Sequence, residues 1–415
     1  MTIKYNLVSL FCGAGGMDLG FKRAGFNILW ANDFDEDATI TYKNNIGDHV
    51  VLGDICKIKS EDIPDHPDVI IGGFPCQGFS IANTKRNMKD ERNFLYKEML
   101  RIINDKKPQV FVAENVKGLL SMEKGKVIKM IKKDFENIGY NVDYKILNAA
   151  DYGVPQARER VIIIGNRIGV KNLYPKQTHV NMNKNQQTLN VSKNLKPYIT
   201  TEQAIGFLSD VKITNNDLKV DGRIIHNHMA STNVSDKFWA RKHDVNQADI
   251  CDYLKSWRNA SEWSTKKIDE HFGYKHTAGH WFRKDNNSGS IPSPEDWWEL
   301  KKILKFDDKY DKQVTELEER EIVYEQSLRI TNWDRASDTI TATSPEIHVN
   351  KKRRLSAREC AILQSFPDDF IFYGSLNSMY RQIGNAVPVL LAEKIANCII
   401  QMLNKGECLN EKRND

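Results

Sequence analysis

Short apolar runs rich in β-branched residues recur through the first part of the chain, at 7–11, 26–30, 50–52, 68–71, 109–113 and 160–165. Between them, segments such as 93–106 and 122–138 carry apolar residues at i, i+3 and i+4, the spacing of a helix that covers one face of a sheet. The strand runs are continuous rather than alternating, so both of their faces are buried, as in a parallel sheet with helices on each side. The pattern predicts an α/β fold built on a doubly wound, mostly parallel sheet.

From about residue 172 the rhythm gives way to Asn- and Lys-rich sequence, then to irregular sequence that holds Trp239, Trp257, Trp263, Trp281, Trp297, Trp298 and Trp333. A last helix is predicted from 388 to 403, with Pro388 in its first turn and Val389, Leu390, Leu391, Ile395, Ile399, Ile400 and Leu403 apolar enough to pack back onto the sheet. The expected organisation is a first domain over 1–172, a smaller domain inserted over 173–376, and a C-terminal segment, 377–415, that returns to the first domain.

Composition narrows the class. Of 415 residues, 60 are Lys or Arg and 55 Asp or Glu, a net charge of +5; 40% are hydrophobic and 28% charged. That excludes a largely disordered, collagen-like or membrane-embedded chain. No run approaches the roughly 18 consecutive apolar residues of a spanning helix, and the N-terminus leads into a strand-like run rather than a signal-peptide core. A cytoplasmic protein with no membrane partner is expected. The seven cysteines (12, 56, 76, 251, 360, 398 and 408) form no CxxC pair, which suits reduced thiols.

Candidate chemistry starts where the first strand ends. Phe11-Cys12-Gly13-Ala14-Gly15-Gly16 precedes a helical pattern, and a glycine-rich turn there lets a ligand approach the backbone at a helix N-terminus. Alone, it also fits a tight turn with no ligand. Asp33, about twenty residues on, ends the second strand where a carboxylate can accept from both hydroxyls of a ribose. Asp54 ends the third, where it can meet an adenine amine while Ile55 packs on the ring; a helix cap or a solvated charge is the other reading of each carboxylate. Nothing basic sits in the glycine turn, so an adenosine without phosphate, as in S-adenosylmethionine, fits better than a dinucleotide.

The fourth strand leads into Gly72-Gly73-Phe74-Pro75-Cys76-Gln77. A cysteine just past the carboxyl end of a parallel strand stands where such sheets bind ligands, and a thiolate there is a strong nucleophile. The alternative is a small buried hydrophobe, the reading given to the other cysteines apart from Cys408, placed in a tail. The fifth strand ends in Glu114-Asn115; if desolvated, Glu114 keeps its proton and can share it with a ring nitrogen. A thiol and a carboxylic acid facing one ligand point to an electron-poor ring such as cytosine. In Gln156-Ala157-Arg158-Glu159-Arg160 the alternation of a strand is expected to project Gln156, Arg158 and Arg160 together. Arg158 can fix a base oxygen or the nucleophile's surroundings, or it can be a salt-bridged surface residue.

With these segments in order, the chain closely resembles the cytosine-C5 DNA methyltransferase family over residues 5–170 and 338–400. The resemblance is carried by Phe11 to Gly16, Pro75-Cys76-Gln77, Glu114-Asn115-Val116, Gln156-x-Arg158-x-Arg160, Arg354-Leu355-x-x-Arg358-Glu359-Cys360-Ala361 through Gln364-Ser365-Phe366-Pro367, and Gly384-Asn385-Ala386-Val387-Pro388. It implies a Rossmann-like methyltransferase in which Cys76 attacks C6 of cytosine, Glu114 bonds N3 and the exocyclic amine, and Arg158 contacts O2, with Gln156 and Arg160 beside them. It also implies a pocket for S-adenosylmethionine lined by Phe11, Gly13, Ala14, Gly15, Gly16, Asp33, Phe34, Asp54, Ile55, Gly73, Pro75, Leu95, Asn385 and Ala386. Members commonly carry glutamate where this chain has Asp33, one methylene shorter.

The target atoms of cytosine are closed off inside a stacked duplex, so the base has to be extruded. The polar, positive segment 78–95, with Lys85, Arg86, Lys89 and Arg92, is similar to the family's mobile loop, and Ser80 and Asn83 are candidates for contacts to DNA. The region 173–376 is expected to be the target-recognition domain with its hinge, since base edges specify while phosphate contacts position. Its tryptophans read better as core than as DNA contacts. His276 and His280 lack a nearby third ligand, and no metal is expected.

The reading is a DNA (cytosine-5-)-methyltransferase acting on double-stranded DNA as a monomer in a bacterial cytoplasm, paired in function with a restriction endonuclease. An RNA cytosine methyltransferase, a silent DNA-binding regulator on the same scaffold and a nicotinamide or flavin oxidoreductase are the competing readings. The oxidoreductase leaves Pro75-Cys76 and Glu114-Asn115 unexplained.

Overall fold

The computed structural model describes residues 5–75, 95–182, 195–232, 247–273, 294–315, 330–343, 345–350 and 352–414. Each of the apolar runs forms a strand. In order come β1 (Asn6–Leu10), α1 (Gly16–Ala24), β2 (Asn27–Asp33), α2 (Glu36–Asn45), β3 (Val50–Leu52), β4 (Val69–Gly72), α3 (Leu95–Lys106), β5 (Val110–Val116), α4 (Lys126–Asn137), β6 (Asn141–Asn148) and β7 (Glu159–Asn166). They make one seven-stranded sheet in the order β3-β2-β1-β4-β5-β7-β6. All neighbours run parallel except β7, which is antiparallel to both β5 and β6.

Burial explains why the inner strands are visible as apolar runs and β6 is not, while β3, the other edge strand, reads as apolar although Val51 and Leu52 are exposed. The central strands are covered on both faces, whereas β6 is an edge strand with Asn141, Asp143, Lys145 and Ile146 outside the core. Along β1 the two faces separate: Val8 and Leu10 join the cluster formed with Met99, Ile102 and Ile103 of α3 and Val127, Ile128 and Ile131 of α4, while Ser9 faces α1 and bonds to Asp18. The chain runs outward from β1 to β3 and then crosses back to β4 beside β1. That reversal opens a crevice at the carboxyl ends of β1 and β4, the usual ligand position in such sheets.

The remaining helices are α5 (Thr201–Ile205), α6 (Gln247–Ala260), α7 (Thr265–Phe272), α8 (Pro294–Leu304), α9 (Asp311–Thr315), α10 (Ala357–Leu363), α11 (Leu376–Asn385) and α12 (Val389–Asn414). The stretch Leu376–Cys408 is long and apolar enough to cross a membrane by length and composition alone. In the fold it is divided into α11 and α12, and Leu391, Ile395, Ile399, Met402 and Leu403 are fully buried. It is a core segment, packed against α1.

Packing divides the chain into two compact units. The larger comprises Met1–Met229, Trp333–Thr343 and Ala357–Asp415, and the smaller Ala230–Asn332 and Ser344–Ser356. The smaller unit has its own core, in which fully buried Trp297 sits among Ile250, Leu254, Ile268, Leu300, Leu304 and Phe306. Trp297 satisfies its indole N–H on Asp311 at 2.9 Å. Trp257 and Trp263 pack at the edge of this cluster, and Trp298 is largely exposed. Trp333 belongs to the larger unit, and Trp239 and Trp281 lie outside the described residues.

Candidate active site

The glycine turn follows β1 directly. Gly13 and Gly15 take φ of +54° and +86°, the left-handed region that glycine enters without steric cost, and Gly15 N–H donates to the Cys12 carbonyl at 2.9 Å. Ala14, between them, is buried. Phe11 also has a positive φ, 54°, a strained conformation of the kind that gathers at ligand sites. Asp33, at the end of β2, braces the turn by accepting from Gly13 N–H at 2.8 Å and from Asp35 N–H at 2.9 Å. Burial pushes its carboxyl up, and the N–H groups of Asp35 and Gly13 pull it back. Each oxygen keeps a lone pair for a further donor such as a ribose hydroxyl.

Gly15 caps α1 without a side chain, so the first-turn N–H groups make an anion site. Beside the turn, Phe34 is 74% exposed, an aromatic face open for stacking. Asp54 is exposed at the end of β3, its carboxylate accepting from Cys56 N–H at 3.1 Å, and Ile55 is buried next to it. Leu95 opens α3 and packs with Phe11 against the same core cluster. Residues remote in sequence close the turn from the other side: a Cβ built on Gly16 would stand 2.6 Å from the Val387 carbonyl and 3.0 Å from the Ala386 Cβ. Asn385, exposed, ends α11 just before them.

A second cluster forms at the carboxyl edge of β5. Glu114 is almost buried and pairs with Arg160 of β7, Nε to Oε1, at 2.8 Å. Burial raises the Glu114 carboxyl above its ordinary range, with Arg160 and then Arg158 opposing. A Cβ built on Gly73 would lie 3.1 Å from Glu114 Oε2, so the end of β4 passes directly over this carboxylate. Asn115 donates from Nδ2 to the Phe74 carbonyl at 2.9 Å and thereby pins the chain immediately before Pro75. Cys76 itself lies outside the described residues, as do Ser80, Asn83, Lys85, Arg86, Lys89 and Arg92, and in the smaller unit His276 and His280.

Gln156, Arg158 and Arg160 do not project together. β7 begins only at Glu159, and Arg158 N–H folds back onto the Gln156 carbonyl at 3.0 Å, which breaks the strand alternation. Arg160 faces Glu114. Arg158, which the resemblance set against a base oxygen, is 1% exposed and instead donates to the carbonyls of Ile340 at 3.0 Å and Gly384 at 2.6 Å. Gln156 accepts from Ile340 N–H at 3.1 Å and donates to the Leu363 carbonyl at 3.3 Å. Burial, then Arg160, lowers the Arg158 guanidinium well below its usual value.

One buried group escaped the sequence reading. Asp18, in the first turn of α1, is fully buried and accepts from Ser9 Oγ at 3.0 Å and from Tyr42 hydroxyl at 2.9 Å, and Tyr42 Oη also lies 3.1 Å from His49 Nε2. Burial pushes its carboxyl up to about 6. This network backs the glycine turn, since a Cβ on Gly15 would meet the Tyr42 ring at 2.8 Å. Its only signal in the sequence is an acidic residue on the buried face of an otherwise apolar helix turn.

The sheet order and a crevice lined by a glycine turn, a brace carboxylate and an exposed aromatic define the class: a Rossmann-like fold of the S-adenosylmethionine-dependent methyltransferases. Comparison with known proteins narrows it. The C-5 cytosine-specific DNA methylase model matches residues 5–401. The type II methyltransferase M.NgoFVII of Neisseria gonorrhoeae is 36% identical over 409 residues, covering 97% of this chain and 88% of that one. The type II methyltransferase M.FnuDI of Fusobacterium nucleatum is 34% identical, covering 98% and 97%. In fold, the chain is similar to a prophage-encoded E. coli protein assigned as a DNA modification methyltransferase, with a TM-score of 0.58 at 23% identity over 97% of this chain and 100% of that one. The chain belongs to the C-5 cytosine-specific DNA methylase family. It is a DNA (cytosine-5-)-methyltransferase whose methyl donor is S-adenosylmethionine. The residues present fit that donor: Asp33 for its diol, Phe34 for its adenine ring and the uncapped N-terminus of α1 for its carboxylate.

Proposed function

We propose that the chain extrudes a cytosine from double-stranded DNA and uses Cys76 as nucleophile, Glu114 as proton donor and Arg160 as the cation beside the base. The observation that carries this reading is the buried Glu114–Arg160 pair at 2.8 Å, one residue from the Asn115 clamp on the approach to Pro75-Cys76. The Cys76 thiolate forms a bond to C6 while Glu114 delivers its proton to N3, so that the electron pair released from the ring leaves C5 nucleophilic. Bound S-adenosylmethionine supplies the electrophilic methyl group. A solvent-derived base then takes the C5 proton as the C6–S bond to Cys76 breaks, and N3 returns its proton to Glu114, which restores the ring. Burial raises the Glu114 carboxyl above its ordinary range, the direction that suits a proton donor, and Arg160 orients it. Asp33, Phe34, Asp54 and Ile55, with the turn from Phe11 to Gly16 and Gly73, Pro75, Leu95, Asn385 and Ala386, form the donor pocket in this reading. Ser80, Asn83, Lys85, Arg86 and Lys89 serve the DNA backbone and the vacated cavity.

In this reading 1–172 carries catalysis, 173–376 target recognition with its hinge and 377–415 closure, and within 173–376 the separately packed 230–332 and 344–356 are the part assigned to recognition, since the rest of that span packs with the larger unit. The type II naming of the relatives supports a modification enzyme that protects DNA from a cognate restriction endonuclease; action as a monomer in a bacterial cytoplasm belongs to the same proposal. The test is covalent trapping with duplex DNA carrying 5-fluorocytosine in the presence of the methyl donor. Fluorine cannot leave as the C5 proton does, so a denaturation-resistant adduct should form with the wild type and vanish in Cys76→Ala, while the donor still binds the variant. An adduct that persists in the variant would remove Cys76 from its role, and trapping on RNA alone would move the substrate.

A further inference from the structure

Arg158 stands in the segment that feeds the base side, yet its guanidinium serves the opposite wall. Its Nη2 donates to the carbonyl of Gly384 at 2.6 Å, on the last turn of α11, where carbonyls lack intrahelical partners and a cation is favoured. Its Nη1 holds the carbonyl of Ile340 at 3.0 Å, and its Nε finds no partner among the described residues. The next two residues after Gly384 are Asn385 and Ala386, and Ala386 and Val387 stand against Gly16 of the glycine turn. Gln364 adds a second clamp by donating to the Ile383 carbonyl at 2.7 Å. Two residues beyond Arg158, Arg160 grips Glu114. A buried guanidinium is costly to desolvate, so its bonds to these carbonyls fix where the end of α11 lies.

We propose that Arg158 is a positioning residue that ties the base side to the donor pocket by holding the end of α11, and so Asn385 and Ala386, against the glycine turn. The proposal rests on the reading of Glu114 and Arg160 as the base-side pair. Removing the guanidinium takes this donor from the carbonyls of Gly384 and Ile340 and frees the 384–387 segment from one side, so affinity for the nucleoside cofactor falls even though Arg158 touches no part of it. Because coupling between two sites is reciprocal, cofactor binding and DNA binding should reinforce each other less in its absence.

The experiment is calorimetric titration of S-adenosylhomocysteine, without DNA, into wild type, Arg158→Ala, Arg158→Lys and Arg160→Ala, each checked for native circular dichroism and a cooperative melt. Arg158→Ala should weaken binding by about tenfold, the fold-change that corresponds to about 1.4 kcal/mol of lost preorganisation at the 384–387 segment. Arg158→Lys should recover part of the loss, since an ammonium can still donate to one of the two carbonyls. Arg160→Ala should bind within about twofold of wild type while losing methyl transfer. Wild-type affinity in Arg158→Ala together with lost transfer would overturn the proposal and return Arg158 to the base. Equal weakening in Arg158→Lys and Arg158→Ala would also overturn it, because no specific bond would then be at stake. Retained transfer in Arg160→Ala would instead sink the base-side reading and leave the effect of Arg158 on affinity standing.

Discussion

Glu114 and Asp18 are both buried carboxyls whose protons are held above the ordinary range, and they differ in what surrounds them. Glu114 has a guanidinium at 2.8 Å and stands under the end of β4. Glu114→Gln should keep the shape and remove the transferable proton, so methyl transfer should fall by orders of magnitude while DNA affinity stays near wild type; near-native turnover would take Glu114 out of the chemistry. Asp18 instead accepts from the hydroxyls of Ser9 and Tyr42 and from its own backbone N–H, with no guanidinium bonded to it among the described residues. The folded protein holds its proton up to about pH 6, beyond the ordinary carboxyl value, so its contribution favours the fold at low pH and is lost as pH rises through 6. Asp18→Asn stays neutral and isosteric. Its urea midpoint should therefore gain on the wild type between pH 4.5 and 7, and a difference independent of pH would show that Asp18 is not titrating in the fold.

At the scale of elements, α1 and α12 form a close joint. A Cβ built on Gly20 would fall 2.5 Å from the Ala392 Cβ and 2.6 Å from the Val389 carbonyl, and the backbone atom cannot swing aside. Gly20→Ala should gain up to about 1 kcal/mol of helix propensity but lose about 1–3 kcal/mol to overpacking, a net lower denaturation midpoint. A raised midpoint would mean that α12 does not seat here. The same scale shows where pattern reading ends. Strands buried on both faces announce themselves as apolar runs, as does the exposed edge strand β3, but the polar-patterned edge strand β6 does not. The segment 156–160 reads as alternating strand, yet the fold begins β7 only at Glu159 and sends Arg158 and Arg160 to different partners.

For the whole molecule, a net charge of +5 and a polyanionic substrate predict binding that weakens steeply with salt, as the release of counterions from phosphate contacts loses its driving force. Filter binding or anisotropy between low and moderate salt checks this, and a flat response would deny the enzyme a phosphate-neutralising surface. The two compact units bear on the same question. The smaller one closes its own core around Trp297, so aromatic residues in an irregular stretch are here consumed in part by packing rather than offered to bases.

The sequence by itself determined the doubly wound sheet, because burial on both faces leaves continuous apolar runs. It also determined the glycine turn and the acidic residues after β2 and β3, because such turns and strand ends are local features. Tertiary structure alone decided the rest. The pairing of Glu114 with Arg160, the commitment of Arg158 to Gly384, the closure of the turn by Ala386 and Val387, and the burial of Asp18 all join residues far apart in the chain. Their partners are set by how strands and helices pack, and side-chain direction at a strand's irregular entry, or the dielectric around a carboxyl, has no signature in local sequence.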